Sequence, residues 1–367
     1  MDPETLRADI PACQECVFLN TGASGPSPRR IVDAVTGYHE RHKFEAPCSE
    51  GMYELASETR GRAREAVAGF LGAAPGEVAL TRNTAEGINH VATGFDWEPG
   101  DIVVRTDLEH PAGELPWQRM ADRYGVEVRE LETDRGRIDR DALKAAVDGA
   151  RLLCVSSIAW NYGTRLPVAE IVEVAHDAGA RVLVDAVQSP GQEPVDVSSW
   201  GADFVAASGH KWLLGAWGSG FLYVDSDALP TLHPDRIGYF SVTREAGEGY
   251  EFSPDASRFE LGTTALAPYV GLAESVALFG EIGLDTVRGR IDRLTDRLKE
   301  GLGDRLVSPR DAGTGLVTFA AEDPEATTER LAQEGIRIRP IPDPYVCRAS
   351  VHAFNTAGDV DALLDAL

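Results

Sequence analysis

The 367-residue sequence lacks long hydrophobic runs and has few cysteines. No apolar stretch approaches the roughly 18 residues that a membrane helix requires, so we expect no association with a membrane. Residues 1–5 are acidic and lack the basic and apolar regions of a secretory signal. Five cysteines, an odd number at irregular spacings, do not predict a disulfide framework. These absences predict a cytoplasmic protein.

Lysine is also rare, and acidic residues outnumber basic ones. Lys43, Lys144, Lys211 and Lys299 are the only lysines, and 59 acidic residues stand against 35 basic ones, which gives a formal charge of −24. A negative field of this size repels nucleic acids, so no nucleic-acid partner is expected. It suits a salt-rich cytoplasm, where screening reduces self-repulsion. We therefore hypothesise a halophilic protein.

Short β-branched apolar runs alternate with amphipathic stretches along most of the chain. This alternation predicts an α/β fold whose helices cover a mostly parallel, seven-stranded sheet. Helices are predicted at 84–93 and 114–124, among others. Strands are predicted at 77–81, 101–105, 126–131, 152–156, 181–185, 204–207 and 220–224.

The length of the chain predicts two domains, because one hydrophobic core stops growing at roughly 250–300 residues. The large domain is predicted to comprise residues 15–250. The smaller, α+β domain would comprise residues 1–14 and 251–367. A Gly- and Glu-rich stretch at 239–254 is predicted to connect the two.

Two predicted strands are each followed by a polar cluster, Asp185-Ala186-Val187-Gln188 and Ser208-Gly209-His210-Lys211. Ligands of open α/β sheets bind at the carboxyl ends of the strands, so these side chains should face one crevice. A lysine and a carboxylate at neighbouring strand ends suit pyridoxal 5'-phosphate (PLP). The lysine forms an imine with the cofactor, and the carboxylate keeps the pyridine nitrogen protonated.

These clusters resemble those of the class V aminotransferase family, which includes cysteine desulfurases, cystine C–S lyases and isopenicillin N epimerase-like proteins. The resemblance covers nearly the whole chain, from Phe18-Leu19-Asn20-Thr21-Gly22 to Phe354-Asn355-Thr356. It implies the fold-type I architecture of PLP-dependent transferases and a small amino acid as substrate. It also implies a homodimer with shared active sites.

The resemblance assigns roles to individual residues around the cofactor ring. Lys211 matches the lysine that forms the Schiff base and moves the Cα proton, and Asp185 matches the partner of the pyridine nitrogen. His110 matches the histidine that stacks on the ring. Gln188 matches the residue that hydrogen-bonds the ring hydroxyl.

Other residues match the family's phosphate and carboxylate contacts. Thr84 and Ala85 open a predicted helix, whose N-terminus attracts a phosphate, and the resemblance adds Ser208 and His210 to this group. Thr263 matches a threonine that touches the phosphate in the other subunit. Arg348 matches the arginine that binds the substrate carboxylate.

Two features differ from a cysteine desulfurase. Such an enzyme needs a nucleophilic cysteine on a mobile loop before the carboxylate-binding arginine, and residues 335–345 contain none. Cys347 adjoins Arg348, so strand alternation predicts that Cys347 faces away from the site. Cys48 is a reserve candidate for the nucleophilic cysteine. Trp160-Asn161 resembles the cystine C–S lyase branch, and Asn161 is a further candidate cofactor contact.

Our leading hypothesis is therefore a PLP-dependent C–S lyase that eliminates a β-substituent from cysteine- or cystine-type substrates. The main alternative is a cysteine desulfurase that passes sulfur to Cys48 or to a sulfur-acceptor protein. A class V transaminase or amino-acid epimerase would use the same cofactor residues. A non-catalytic PLP-binding protein is the remaining alternative. No metal site is predicted.

Overall fold

The computed structural model describes residues 1–243 and 249–367, so part of the predicted connection at 239–254 lies outside the described residues. The strands are β1 (Val17–Phe18), β2 (Val78–Thr81), β3 (Ile102–Thr106), β4 (Glu127–Leu131), β5 (Leu152–Ser156), β6 (Arg181–Asp185), β7 (Phe204–Ser208), β8 (Gly220–Val224), β9 (Val242–Thr243), β10 (Glu251–Phe252), β11 (Leu316–Phe319), β12 (Ile336–Arg337), β13 (Arg339–Ile341) and β14 (Val346–Ser350).

The α-helices are α1 (Pro3–Ala8), α2 (Ala12–Glu15), α3 (Arg29–Glu40), α4 (Met52–Leu71), α5 (Thr84–Gly94), α6 (Pro111–Tyr124), α7 (Arg140–Val147), α8 (Val168–Asp177), α9 (Val197–Trp200), α10 (Ala267–Ile282), α11 (Leu284–Leu302), α12 (Pro324–Gln333) and α13 (Ala357–Ala366). A π-helical turn, Arg41–Glu45, and a 3₁₀ turn, Ala46–Cys48, follow α3. Among the described residues, no helix is both long and apolar enough to cross a membrane.

Seven strands form the central sheet, in the order β2-β8-β7-β6-β5-β3-β4. Strand β8 is antiparallel to both of its neighbours, and the other neighbouring pairs are parallel. Every residue of β5, β7 and β8 is buried, as expected for strands covered on both faces. The structure confirms the predicted mostly parallel seven-stranded sheet, and each strand lies within one residue of its predicted bounds.

A second, smaller sheet has the order β11-β14-β13, with antiparallel pairs. Its core contains Leu298, Val317, Phe319, Ala349 and Leu363, from both strands and helices, which fits the predicted α+β unit. Leu6 and Ile10 of the N-terminal segment instead pack in the apolar cluster shared with the central sheet. The sequence limits proposed for the two domains stay a prediction.

One predicted element begins at the wrong residue. The helix predicted at 114–124 begins at Pro111, three residues earlier, with His110 as its N-cap. Proline suits the first helical position because it has no N–H that would need a partner there. The earlier start places His110 at the carboxyl end of the β3 segment, beside the cleft.

Candidate active site

One cleft lies at the carboxyl ends of β3, β5, β6 and β7, where the small sheet approaches the central sheet. All the residues predicted from sequence for the site line this cleft, except Asn161 and Thr263. The lining residues that were predicted are Thr84, Ala85, His110, Asp185, Gln188, Ser208, His210, Lys211 and Arg348.

Lys211 and Asp185 form the charged centre of the cleft. Asp185 ends β6, is 4 % exposed, and accepts a hydrogen bond from the Val187 N–H at 2.9 Å. Burial lowers the pKa of Lys211 to about 8, against the opposing effect of Asp185. A lysine with a pKa near neutrality is a better nucleophile and proton acceptor than a solvent lysine.

The backbone of Lys211 is held by a close approach of the N-terminal loop. The Gly25 N–H donates to the His210 carbonyl at 2.8 Å. A Cβ atom at Gly25 would lie 2.3 Å from the Lys211 carbonyl oxygen, so only glycine fits there. This contact fixes the position from which the Lys211 side chain enters the cleft.

The N-terminus of α5 forms one end of the cleft. The Thr84 N–H donates to Ser208 Oγ at 2.8 Å, and the two hydroxyls share a hydrogen bond of 2.7 Å. The Asn83 side chain caps the helix by accepting from the Glu86 N–H. Thr84, Ala85 and Ser208 therefore combine N–H and hydroxyl donors with the positive end of the helix dipole, an arrangement that binds phosphate.

His110 and Gln188 are both held in place by protein contacts. Desolvation, followed by the charges of Lys211, Arg339 and Arg348, lowers the pKa of His110 to about 4, which leaves a neutral ring suited to stacking. Gln188 Oε1 accepts from the Trp212 indole at 2.7 Å, and its Nε2 donates to the Gly22 carbonyl at 3.2 Å. The second Nε2 hydrogen remains to serve a ligand oxygen.

The opposite wall of the cleft comes from the small sheet and carries two arginines. Arg348 is only 1 % exposed, and its Nη1 donates to the Trp160 carbonyl at 2.7 Å. Its Nε and Nη2 atoms are buried without a partner among the described residues. Arg339 lies directly opposite Arg348 in the β13–β14 register and also lines the cleft.

Sequence reasoning missed Arg339 as a site residue. Nothing in residues 335–345 distinguishes it from Arg337, which is exposed, until the strand register is known. Trp160, which the sequence marks only as part of a family signature, lines the cleft and packs edge-on against His110, with ring centroids 5.4 Å apart. The register of the β13–β14 pair, which the sequence does not give, is what places Arg339 at the cleft.

Two predicted residues do not line the cleft. Asn161 is buried, its Nδ2 donates to the Asp343 carbonyl at 3.4 Å, and a role for it at the cofactor stays a prediction. Thr263 is exposed, and its Oγ1 shares a hydrogen bond of 2.6 Å with the Tyr239 hydroxyl. Its predicted contact with a second subunit is not tested by a single chain.

None of the five cysteines, all of which lie in the described residues, lines the cleft. Cys347 is buried and its thiol contacts the Pro324 carbonyl, in the core position that strand alternation predicted. Cys48 is exposed, in the 3₁₀ turn after α3.

The arrangement fits PLP at each end. The buried donors around Thr84 suit the phosphate, Asp185 suits a protonated ring nitrogen, and Lys211 suits an imine. The unpartnered donors of Arg348 suit the carboxylate of an amino acid.

Comparison with known proteins agrees with this geometry. The family model described as Aminotransferase class-V matches residues 17–363. The chain belongs to this family. A probable cysteine desulfurase of Methanothermobacter thermautotrophicus is 38 % identical over 303 residues, which cover 81 % of this chain and 75 % of that protein.

Solved structures of the family superpose on nearly the whole chain. An apo cysteine desulfurase from Thermococcus onnurineus NA1 has a TM-score of 0.92 and 30 % identity, covering 100 % of this chain and 97 % of that one. A cystine C–S lyase in complex with its reaction product, cysteine persulfide, has a TM-score of 0.92 and 29 % identity, covering 97 % and 98 %. As a class V member with this cleft, the protein is a PLP-dependent enzyme of fold-type I.

Proposed function

We propose that this class V enzyme is a C–S lyase that acts on cystine-type substrates by β-elimination. The observation that carries the proposal is the pair of arginines, Arg339 and Arg348, on one wall of a cleft that no cysteine lines. The two arginines favour a substrate with two carboxylates. The absence of a cysteine from the cleft lining leaves no sulfur acceptor there, and desulfuration needs one.

The two arginines need anionic partners. Burial, followed by the charge of Arg339, lowers the pKa of Arg348, so the site disfavours its own positive charge when empty. Burial also lowers the pKa of Arg339. One α-carboxylate on Arg348 would satisfy its free Nε and Nη2, and a second carboxylate, such as the distal one of cystine, would pair with Arg339.

The chain's own residues would divide the work of elimination. Arg348 would hold the α-carboxylate, and Lys211 Nζ would accept the proton from Cα. Asp185 would keep a positive charge on the ring nitrogen, and bound PLP would supply the electron sink for the Cα electrons. The Cβ–S bond would then break, and sulfur would leave with the bond electrons as a persulfide. Addition of water to the remaining three-carbon enamine gives pyruvate and ammonia.

Product analysis tests this proposal. The PLP-loaded protein is incubated separately with L-cystine and L-cysteine, and pyruvate, ammonia and alanine are measured. Pyruvate and ammonia in equal amounts, formed faster from cystine, are expected. Alanine with protein-bound sulfur would overturn the proposal.

Exchange of the second arginine tests the choice of substrate. Arg339→Met should raise KM for cystine by about 10-fold, since one charged hydrogen-bonded contact contributes about 1.5–3 kcal/mol, and should change KM for cysteine much less. Arg337→Met is the matched control, because that side chain is exposed and outside the cleft lining. Equal losses for both substrates would show that Arg339 does not read a second carboxylate.

A cysteine desulfurase is the second candidate, because Cys48 is exposed and therefore accessible to a sulfur-acceptor protein. In that case sulfur would have to move from the cleft to a residue that does not line it. Alanine formation that depends on Cys48 would favour this candidate. A D-amino acid or an amino-group exchange product would indicate an epimerase or a transaminase, and no cofactor imine absorbance would indicate a protein without catalysis.

We also propose that the enzyme is a homodimer in which Thr263 approaches the active site of the other subunit. Large apolar side chains are exposed near Thr263: Tyr239 is 63 % exposed, Tyr53 is 86 % exposed, and both line a groove with Thr263. An exposed apolar surface of this kind is typical of an interface. Sedimentation should give twice the mass of the chain, and Thr263→Ala should weaken PLP binding. A monomer with full PLP affinity would contradict this.

The charge of −24 supports a halophilic protein. High salt should raise the melting temperature, because screening at 1 M acts over about 3 Å and reduces repulsion between surface carboxylates. Melting curves in low and in multimolar KCl test this. A melting temperature that does not rise would exclude a halophilic adaptation.

A further inference from the structure

Trp212, the residue after Lys211, is fully buried and has no part in the proposed reaction. Its indole N–H donates to Gln188 Oε1 at 2.7 Å, and its carbonyl oxygen lies 2.9 Å from His352 Nε2. A Cβ atom at Gly315 would lie 2.5 Å from two carbons of the indole ring, so the backbone packs directly against that ring. Gly315 precedes β11 and His352 follows β14. The small sheet therefore contacts, through Trp212, the turn that carries Lys211.

Two hydrogen bonds fix the tautomer of His352, which is fully buried. Nδ1 accepts from the Ala353 N–H at 2.7 Å, so Nδ1 carries no hydrogen. Nε2 therefore carries the hydrogen of the neutral ring and donates it to the Trp212 carbonyl. A second proton on the ring would place an N–H against the Ala353 N–H. Burial also lowers the pKa of His352 to about 4, so the ring is neutral at neutral pH.

Three aromatic rings hold the imidazole of His352 in place. It stacks on Trp212, with centroids 5.7 Å apart and planes 21° apart, and on Phe354, with centroids 5.1 Å apart and planes 13° apart. The Phe279 ring meets it edge-on at 5.7 Å. The His352 backbone N–H donates to Asn355 Oδ1 at 2.8 Å. The direction of the Nε2–H bond is therefore set by packing as well as by its acceptor.

The turn that carries Lys211 needs such support because its backbone is strained. Leu214 has a φ of 57°, in the left-handed region that residues other than glycine rarely adopt. Its N–H donates to the Lys211 carbonyl at 3.0 Å and closes the turn. Strained backbone persists only where the surrounding structure holds it. His352 is the only described residue that donates a hydrogen bond to the Trp212 carbonyl, in the middle of this turn.

We propose that His352 is a positioning residue that acts through Trp212 to hold Lys211 where its amine forms the imine with the cofactor. The Gly25 N–H holds the turn at the His210 carbonyl, and His352 holds it two residues later. Lys211 lies between these two contacts. Imine formation joins Lys211 Nζ to the aldehyde carbon of PLP and releases one water molecule. The inference concerns the lysine and the cofactor, and it does not depend on which substrate the enzyme uses.

Two substitutions separate the hydrogen-bond donor from the aromatic ring. His352→Phe keeps the stacking and removes the donor, whereas His352→Gln removes the ring and supplies an amide N–H donor. Each apoprotein is mixed with saturating PLP, and the growth of the imine absorbance gives the rate constant of imine formation. His352→Phe should lower this rate constant by about 10-fold, because a small displacement of a reacting group slows an intramolecular step. His352→Gln should restore most of the loss.

Two controls separate positioning from general damage. Pyridoxamine 5'-phosphate offers the same ring and phosphate but forms no imine, so its dissociation constant should be nearly the same in His352→Phe and in wild type. Leu363→Ala removes packing from the core of the small sheet, in a different apolar cluster from that of Trp212. It should lower the melting temperature and leave the rate constant of imine formation unchanged. An equal slowing of imine formation in Leu363→Ala, or a loss that His352→Gln does not restore, would overturn the proposal.

If His352→Phe does not fold, histidine nitrogen NMR of the wild-type protein tests the same contact. The signals of His352 are assigned by their absence from His352→Gln. At neutral pH they should show a hydrogen on Nε2 and none on Nδ1. A hydrogen on Nδ1 would break the contact with the Ala353 N–H and overturn the proposal.

Discussion

The two walls of the cleft differ in how completely their polar groups are satisfied. On the central-sheet wall, the side chains of Thr84, Ser208, Asp185 and Gln188 each have a protein partner at 3.2 Å or less. On the wall near the small sheet, buried atoms without a partner among the described residues include Arg348 Nε and Nη2, Trp160 Nε1 and Ser350 Oγ.

We attribute this difference to the two ligands of the cleft, the cofactor, which stays bound, and the substrate, which binds and leaves in each cycle. A cofactor that stays bound is served by donors already fixed in place by second partners, which lowers the entropy cost of binding. A substrate arrives at donors that gain their partners only on binding, which makes recognition of its carboxylate strong. We therefore expect substitutions on the central-sheet wall to affect the cofactor, and those on the small-sheet wall to affect the substrate.

Removal of the Lys211 side chain should lower the activity more than any other change, because Lys211 acts on both the cofactor and the substrate. Lys211→Ala removes the imine-forming amine and the Cα proton acceptor, so kcat should fall by about 10³-fold or more. Steady-state formation of pyruvate checks this. Lys144→Ala, an exposed lysine on α7, is the control and should be unchanged. A residual rate within 10-fold of wild type would show that another base acts.

Arg348→Met should separate stability from function on the small-sheet wall. The change removes a buried cation with unpaired donors, so the free protein should gain about 1–3 kcal/mol in unfolding free energy. It also removes the carboxylate contact, so kcat/KM should fall by about 10- to 100-fold. Denaturant unfolding of the apoprotein and steady-state kinetics measure the two effects. A variant that loses both stability and activity would mean that Nε and Nη2 of Arg348 also have partners in the free enzyme.

Ser208→Ala, on the central-sheet wall, should lower stability and cofactor affinity and leave recognition of the amino acid nearly unchanged. The Thr84 N–H loses its acceptor in a buried position, which should cost about 1–3 kcal/mol of stability. PLP affinity should fall by about 10-fold, with little change in KM for the amino acid. Titration with PLP and thermal unfolding check this, with the exposed Ser226→Ala as control. A change in KM alone would remove Ser208 from the phosphate end.

The contrast between the walls also explains what could be predicted from the sequence. Asp185, Ser208 and Lys211 follow apolar strands whose type and order the sequence pattern gives, so the carboxyl-end rule brings them together. Arg339 meets Arg348 only through the register of two short strands, and no local pattern gives that register. The burial of Glu109 and its contacts with Ser156 come from the fold, which a linear sequence does not contain.

The smallest expected effect concerns Cys48, which lies outside both walls. Cys48→Ser should leave the rate and the products from cystine unchanged, because β-elimination needs no cysteine to accept sulfur. The serine hydroxyl could not take over the role of a thiolate acceptor if one were needed. Measurement of pyruvate, alanine and protein-bound sulfur in wild type and variant checks this. If Cys48→Ser also leaves the products from cysteine unchanged, Cys48 is excluded as the sulfur acceptor. Cys154 and Cys347 are poor substitutes, because both are buried and the pKa of each thiol is raised. Loss of an alanine-forming activity in Cys48→Ser would instead mean that sulfur leaves the cleft for an exposed residue, and the unpaired small-sheet wall would then recognise cysteine rather than cystine.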